Sequence, residues 1–570
     1  MKYATIIIFS AVAILCYQNI FAQWSNDPLV NTPVCVWESY QQRAEVVSDN
    51  RGGAIIAWFD SRFGNADMFI QRLDAYGIQK WGNGGTAVCL NVSNEVYHKI
   101  VEDSEGGCIV VWEDDRNGNS DIYAQRVDSS GNILWDSAGV AICTLPIDQE
   151  DPQIIADGSG GAIIMWEVTQ STTAGDNGLF AQRIDSDGQT LWAQNGVSIL
   201  TSPFSYSIHW RPKIVGDENE GAVICWINTT NTIIHAQRLN SAGLILWPQE
   251  GIPVCSQSYD NRLHSILYVK NGELVLCWTS VISFGEYRGE LRAQKIDTTG
   301  NIIWNTNGVV VCSSDVSINP AALTYDNQNA VIIGWEDHRI PGIGATIYCQ
   351  KLSVDGNTQW QLNGRPVSSS IGMQGFVKLI CDPNGNSVAC WLDARVNPQW
   401  DIYAQKLNSS GTILWELEGK PVSTVTGNKF YQNIILTNNE NYIVAWDDER
   451  GTDFDIYAQS LNSLITSVGN SSSQFPKSFT LSQNYPNPFN PSTKISYQIP
   501  VSLYPSKGGT LVTLKIYDIL GKVVATLVNE EQGAGFYEIE FVASQLSSGI
   551  YFYQLKAGDF IQTNKMLLLK

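Results

Sequence analysis

One unit of about 55 residues, repeated eight times, takes up this chain as far as residue 465. Its anchor is a glutamine within variants of A-Q-[RK]-[LIV]-[DN], at Gln71, Gln125, Gln182, Gln237, Gln294, Gln350, Gln405 and Gln459. The successive intervals are 54, 57, 55, 57, 56, 55 and 54 residues. So regular a period implies one supersecondary unit stacked on copies of itself. Within a unit the pattern predicts four short strands parted by turns. In the second unit these are His98 to Asp103, Cys108 to Trp112, Asp121 to Asp128, and a last strand ending at Ile142 and Cys143. Four antiparallel strands in some 55 residues make a propeller blade.

The array starts part-way through a unit, with a last-strand equivalent at Val30 to Cys35, and stops after the third strand of its final unit, at Asp455 to Leu461. An N-terminal strand that completes the last blade would hide the open sheet edges. The expected fold is therefore all-β: an eight-bladed propeller over 23–463, closed by its N-terminal strand. Residues 464–477, with the polar run Asn470 to Gln474, read as a linker, and 478–570 as a separate small Ig-like β-sandwich.

The repeat also absorbs most of the conspicuous residues. Trp58, Trp112, Trp166, Trp226, Trp278, Trp335, Trp391 and Trp446 close the second strand of each unit. Trp81, Trp135, Trp192, Trp247, Trp304, Trp360 and Trp415 begin its outer part. Aromatics at fixed blade positions fill the space between sheets, burying about 150–250 Å² each. Cys35, Cys89, Cys143, Cys255 and Cys312 share one repeat position, and Cys225, Cys277 and Cys390 precede the repeat tryptophan. Equivalent positions in different blades lie too far apart to bridge, so these cysteines read as small buried hydrophobes.

Lys2, the apolar run Ile6 to Leu15 and the Phe21-Ala22-Gln23 site predict a signal peptide over 1–22, too short to span a membrane. Leu15 stands where a lipobox before Cys16 would need a small residue. No later apolar segment has the length of a span, so no transmembrane segment is expected in the mature chain. With 35 basic against 56 acidic residues the net charge is -21, which argues against nucleic acid or an anionic membrane as partner.

Five units carry W-x-D-x-R before a hairpin: Asp60/Arg62, Asp114/Arg116, Asp337/Arg339, Asp393/Arg395 and Asp448/Arg450. An arginine inside each cluster neutralises it, which works against a metal site. The pattern predicts ion pairs and carboxylate-to-backbone bonds that hold a tight hairpin. In its form D-x-R-x-G-x-x-D-I-Y it loosely resembles hairpins of the TolB-type propeller repeats, a resemblance that implies fold only. Units three to five replace the motif with Trp166-Glu167-Val168-Thr169, Trp226-Ile227-Asn228-Thr229 and Trp278-Thr279-Ser280-Val281. Because a ligand site breaks symmetry, this divergent arc is the first place to look for one. The loops leading into the first strands there are aromatic and basic: Phe204, Tyr206, His209, Trp210 and Arg211, then Tyr259, Asp260, Arg262 and His264. The candidate ligand residues are Tyr206, His209, Trp210, Arg211, Tyr259, Arg262 and His264, a set suited to a sugar ring or a peptide.

The first-strand residues expected to face the central channel are Glu45, Lys99, Gln153, Lys213, Ser265, Ala322, Lys378 and Asn433. They hold one carboxylate and no glycosidase-type acid pair. H-E-x-x-H, G-x-S-x-G, phosphate-cradling glycine loops and EF-hand loops are missing, and five scattered histidines form no metal set. No cofactor is expected, and no catalytic residue can be singled out.

After the repeat come Leu481-Ser482-Gln483-Asn484-Tyr485-Pro486-Asn487-Pro488-Phe489-Asn490-Pro491, then Leu514 to Lys522, Gly549-Ile550-Tyr551-Phe552-Tyr553 and a terminal Lys565 to Lys570. This ordered set resembles the C-terminal sorting domain of type IX secretion substrates. The resemblance implies a sorting signal carried by Tyr485, Pro486, Asn487, Pro488, Phe489, Asn490, Pro491, Gly549, Tyr551 and Lys570. It also implies export through the periplasm of a Bacteroidetes-like didermal bacterium, an outer-membrane translocon and a sortase-like peptidase as partners, and a secreted or surface-attached protein. The function expected is that of an extracellular binding module for glycan or protein rather than an enzyme. A polysaccharide hydrolase or lyase with its site on the divergent blades near Trp210, Arg211 and His264 is one alternative. A structural adhesion component is the other.

Overall fold

The computed structural model describes residues 24–569, except 26, 91–93, 169–177, 202–208, 229–230, 258–259, 284–287, 315–317, 341, 343, 371, 396–398, 452, 462–478, 482, 485–486, 500–509, 533–534 and 559. The chain forms two compact units, Met1–Ile465 and Thr466–Lys570.

Among its described residues the first unit contains eight four-stranded antiparallel sheets and no helix. Blade 1 is typical, with strands Gln41–Ser48, Ala54–Asp60, Asp67–Leu73 and Thr86–Cys89 hydrogen-bonded in that order. The first strand of every blade touches the first strand of the next, from blade 1 round to blade 8 and back to blade 1. The first strands are therefore innermost, and the array is a closed β-propeller. In blade 8 the fourth place is taken by Thr32–Cys35, paired antiparallel with Asp455–Ser460.

Each interface between blades is a layer of buried apolar side chains. Second-strand residues such as Ile55, Ala57 and Trp58 are fully buried on both faces, so these strands read as unbroken hydrophobic runs rather than alternating ones. The outer tryptophans staple one blade to the next. Trp81, Trp135 and Trp192 donate their indole N–H to the carbonyls of Ser129, Ser186 and Ser241 in the following blade, at 3.3, 3.0 and 2.9 Å. Trp24 makes the same bond to Ala75 of blade 1 at 3.0 Å, and its ring lies over Gly77 as that of Trp81 lies over Gly131. A Cβ on Gly77 would stand 2.9 Å from the ring, and its φ of +80° suits only glycine. Trp24 is thus the outer tryptophan of blade 8, an eighth member of a series in which sequence spacing alone shows seven.

One irregularity recurs on the innermost strands. Pairing with the second strand slips between Gln42 and Glu45 in blade 1, Val96 and Lys99 in blade 2, Glu150 and Gln153 in blade 3, Gly375 and Lys378 in blade 7, and Phe430 and Asn433 in blade 8. Each slip is a β-bulge that re-aims a side chain. The bulged residues Arg43, Tyr97, Asp151, Phe376 and Tyr431 have φ of +62°, +54°, +52°, +57° and +50°. This left-handed region costs a non-glycine residue about 1–2 kcal/mol.

The second unit has a three-stranded sheet (Thr480–Leu481, Ser492–Ile499, Gly535–Val542) and a four-stranded one (Val523–Gln532, Thr510–Tyr517, Gly549–Ala557, Phe560–Leu568). Both sheets feed one core that includes Ile495, Tyr497, Leu514, Ile516, Tyr553 and Met566. Phe489 is buried in it. Its N–H donates to the Leu567 carbonyl and its own carbonyl accepts from Leu569, both at 3.0 Å.

Candidate functional site

The second strand carries two acidic positions one residue apart, and they point to opposite duties. The outer one is the aspartate of W-x-D-x-R. Asp60, Asp114, Asp337, Asp393 and Asp448 are buried. The Nε of Arg62, Arg116, Arg339 and Arg395 donates to Oδ1 at 2.8 Å in blades 1, 2, 6 and 7, and that of Arg450 at 3.0 Å in blade 8. A second guanidinium nitrogen donates to Oδ2 in all five. Oδ2 also accepts the indole N–H of the preceding tryptophan, at 2.8–3.1 Å. Each guanidinium lies over a third-strand ring (Phe69, Tyr123, Tyr348, Tyr403 or Tyr457) at 3.6–4.1 Å. Burial opposes ionisation of Asp60, Asp114 and Asp337, yet the hydrogen bonds from arginine and tryptophan hold all three carboxyls below their ordinary range.

The expectation of a uniform tight hairpin needs correction at Arg395 and Arg450. Arg62 and Arg116 sit in turns closed by the N–H of Gly64 on the Ser61 carbonyl at 3.0 Å and of Gly118 on the Asp115 carbonyl at 2.9 Å. Those glycines, with φ of +102° and +92°, stand at the last turn position, where glycine is favoured. At Arg395 and Arg450 the chain bends instead. The residue two places after Arg395 is Asn397, and in blade 8 the glycine comes one place early, as Gly451. Both arginines also reach beyond the motif. Arg395 donates to the Glu418 carbonyl at 2.7 Å, ahead of the fourth strand of its blade. Arg450 donates to the Asn31 side chain at 2.8 Å, beside the N-terminal strand that replaces that fourth strand in blade 8.

The inner acid directly follows the tryptophan and reaches across to the next blade. Asp447 of blade 8 accepts the backbone N–H groups of Arg43 and Ala44 in blade 1, at 2.6 and 2.8 Å. Glu113 of blade 2 accepts that of Asp151 in blade 3 at 2.7 Å, and Glu336 of blade 6 that of Phe376 in blade 7 at 2.6 Å. These carboxylates take the donors that the bulges release, groups that would otherwise be buried without partners. Burial pushes Asp447 and Glu113 up to about 7, against the hydrogen bonds that favour their charge. Glu167 of blade 3 is pushed to about 8 by burial and by the charges of Asp151 and Glu150, with Lys213 opposing.

What the bulges present is a cavity of about 690 Å³. It opens at the end of the channel that carries the hairpins, because Trp400 of the blade 7 hairpin and Met373 of the loop before that blade both line it. Its rim holds Tyr97, Phe376 and Tyr431, which are 45%, 62% and 53% exposed although each sits in a strained bulge. The Arg43 guanidinium lies between rings, 4.4 Å from the centroid of Tyr97 and 5.8 Å from that of Tyr431, and Phe376 meets Trp400 edge to face at 6.2 Å. The floor is formed by Glu45, Lys99, Gln153, Lys378 and Asn433, five of the eight positions expected to face the channel. Lys99 pairs with Glu45, and the Asn433 amide donates to the Ala44 carbonyl at 2.9 Å and reaches Glu45 at 3.4 Å. Burial works against the charge of Glu45, but Lys99, with His98 and Lys378 beyond it, holds the carboxyl below its ordinary value. His98 is buried beneath the cavity, and burial lowers its pKa to about 4, so the ring is neutral at pH 7.

Of the residues singled out on the divergent arc, Tyr206 and Tyr259 lie outside the described residues, as do the side chains of His209, Trp210, Arg211 and His264. Arg262 is exposed. The backbone gives them a common meaning. Arg211 falls within the slip between Trp210 and Lys213 in blade 4, and His264 within the slip between Leu263 and Ser265 in blade 5. They occupy the register of Arg43 and Tyr97. Sequence reasoning found this position in two blades, by its aromatic and basic character, and missed it in the five where it forms the described cavity. Among the described residues no group of three His, Cys, Asp or Glu side chains could hold a metal ion. All eleven described cysteines are free thiols, ten of them buried, and burial raises Cys35 and Cys312 to about 12.

The first unit is thus a β-propeller with a cavity at one channel mouth. It resembles, at low identity, several solved structures. One is a puromycin hydrolase (12% identity, 75% of this chain and 61% of that chain, TM-score 0.38). Another is an ulvan lyase described as a new family of polysaccharide lyase (8%, 63% and 90%, 0.40). A third is an alpha-L-arabinanase of Penicillium chrysogenum complexed with arabinobiose (9%, 56% and 97%, 0.32). The chain spans about 61% of the length of the puromycin hydrolase. Among curated proteins no sequence matches it.

The second unit is assigned by its sequence. Residues 483–569 match the secretion system C-terminal sorting domain. The chain therefore carries a type IX sorting domain and is an exported protein, secreted or attached to the outer-membrane surface, that engages the secretion system. Of the sorting residues, Tyr485, Pro486 and Lys570 lie outside the described residues. The Asn487 side chain accepts the N–H of Leu567 at 2.9 Å, and Tyr551 donates its hydroxyl to the Ser547 carbonyl at 2.8 Å. Among the described residues no helix is long and apolar enough to cross a membrane.

Proposed function

We propose that this protein is an exported binding module that takes a glycan or protein ligand at the channel mouth formed by blades 7, 8, 1, 2 and 3. One observation carries the reading: five consecutive inner strands hold non-glycine side chains in left-handed bulges around a single cavity, three of them exposed aromatic rings. Strain of about 1–3 kcal/mol per residue persists where surrounding structure enforces it, and it gathers at ligand sites. Exposed ring faces beside a few fixed polar groups suit a sugar or a peptide. Arg211 and His264, at the same register in blades 4 and 5, extend the site round the mouth, with Tyr206, His209, Trp210, Tyr259 and Arg262 on the loops beside them. In the same reading residues 1–22 are a cleaved signal, 464–477 a linker, and a sortase-like peptidase acts on the sorting domain.

The test is to screen the full chain on glycan and peptide arrays beside a Tyr97→Ala/Tyr431→Ala variant. Binding that falls at least tenfold, with the unfolding midpoint held, supports the site. Unchanged binding places the ligand elsewhere, and turnover of any polysaccharide would make the protein an enzyme.

A further inference from the structure

We infer that the ligand of the channel mouth is an acidic polysaccharide, its carboxylates received by Lys378 and Arg43 and its sugar rings laid against Tyr97, Phe376 and Tyr431. This rests on the proposed binding role and adds the chemistry of the ligand. The charge balance of the channel is the first ground. The chain as a whole has 35 basic and 56 acidic residues, yet the eight channel-facing positions carry three lysines (Lys99, Lys213 and Lys378) against the single carboxylate of Glu45. Glu45 is already engaged by Lys99 and Asn433.

Lys378 and Arg43 are the second ground. Both line the cavity, and among the described residues neither forms an ion pair with a carboxylate. Lys378 is exposed to the channel although protein surrounds it, and this confinement lowers its pKa against the pull of Glu45. The Arg43 guanidinium is fixed by ring contacts, which leave its N–H edge for a planar, bidentate acceptor. Asp151, on the blade 3 side, is the other carboxylate in the wall.

The bulges weigh against a peptide. A peptide gains affinity at a sheet edge through free main-chain donors. Here the N–H groups of Arg43, Ala44, Asp151 and Phe376 are held by Asp447, Glu113 and Glu336. What faces the ligand is rings and cations, the pairing that stacks on a pyranose and neutralises its carboxylate.

The test measures binding of the full chain by titration calorimetry to polygalacturonate, alginate and hyaluronan, to the methyl ester of each, and to poly-glutamate. Lys378→Gln, Arg43→Gln and Tyr97→Ala/Tyr431→Ala variants run alongside. At least one acid polymer should bind tenfold or more tighter than its ester, and Lys378→Gln or Arg43→Gln should bring it down to the level of the ester. Lys378→Gln is solvent-facing and should leave the unfolding midpoint unchanged. Equal binding of acid and ester, or no effect of either cation variant, overturns the acidic ligand. The binding role itself still stands in that case if Tyr97→Ala/Tyr431→Ala abolishes binding. Poly-glutamate binding as tightly as the best polymer overturns the glycan class. No binding to any probe overturns the acidic polysaccharide, while a neutral ligand on the arrays would leave the module intact.

Discussion

The hairpin rim and the channel mouth are built from the same second strands, and their acids stand one residue apart, yet they behave oppositely. At the rim Asp60 and its four counterparts each meet an arginine and an indole of their own blade. At the mouth Asp447, Glu113 and Glu336 meet backbone of the next blade and no arginine side chain within hydrogen-bond reach. The rim closes each blade on itself. The mouth couples neighbours and leaves variable side chains facing outward. In a repeat protein, residues that recur unchanged serve the unit, and a position that stays constant in backbone but varies in side chain is where a ligand can be read.

Three experiments would break or sharpen this contrast. The largest effect belongs to the rim. Asp337→Ala strips Arg339 and the Trp335 indole of their acceptor, and removing one partner of a buried pair costs about 3–5 kcal/mol. Urea unfolding should show that loss, and a loss under about 1 kcal/mol would refute the rim's structural role. The second experiment is a pH titration of stability in wild type and in a Glu113→Gln/Glu167→Gln/Asp447→Asn variant. These three folded-state pKa values, about 7, 8 and 7, are raised, so the native chain binds more protons than the unfolded chain between the ordinary carboxyl range and pH 7–8. Their contribution is full at low pH and is lost as pH rises through that window. Arg43 and Glu45 face Asp447, Asp151 and Glu150 face Glu113, and these two with Lys213 face Glu167. The rim aspartates, whose values are depressed, contribute above their ordinary pKa and lose it on acidification. The triple variant should therefore lose the decline between pH 5 and 8 and keep the acid limb. An unchanged profile would detach the bulge caps from the titration. The smallest effect is a gain. Phe376→Gly relieves a φ of +57° and should raise stability by up to about 1 kcal/mol while weakening ligand binding. A lower midpoint with intact binding would show the ring serving packing instead.

Much of the fold was legible because its cause is local. The glutamine anchors, the second-strand tryptophans and the Asp/Arg pairs all act within one blade, and their spacing exposes them. Even there the motif over-promised: the ion pair recurs at Arg395 and Arg450, but the turn beside it depends on a glycine that those blades do not carry in place. The mouth was less legible because its causes cross between blades. Nothing near Asp447 shows that its partners are Arg43 and Ala44, some 400 residues away in the chain. A left-handed Tyr or Phe leaves no signature either, since those side chains do not favour that conformation. Trp24 escaped the repeat count because no glutamine anchor precedes it. Arg211 and His264 drew notice only as aromatic or basic residues out of place, whereas their register is that of the entire series.

The closure of blade 8 ties the two ends of the array to the fate of the whole chain. Thr32–Cys35 is among the first segments to leave the ribosome, yet its partner Asp455–Ser460 comes almost last, immediately before the sorting domain at 483–569. A chain interrupted anywhere upstream of Asp455 lacks both the strand that shuts the ring and the address that directs it outward. The break that leaves the edges of blades 1 and 8 open to aggregation also withholds the polypeptide from the export machinery. Completeness of the ring and competence for delivery are thereby tested by the same stretch of sequence.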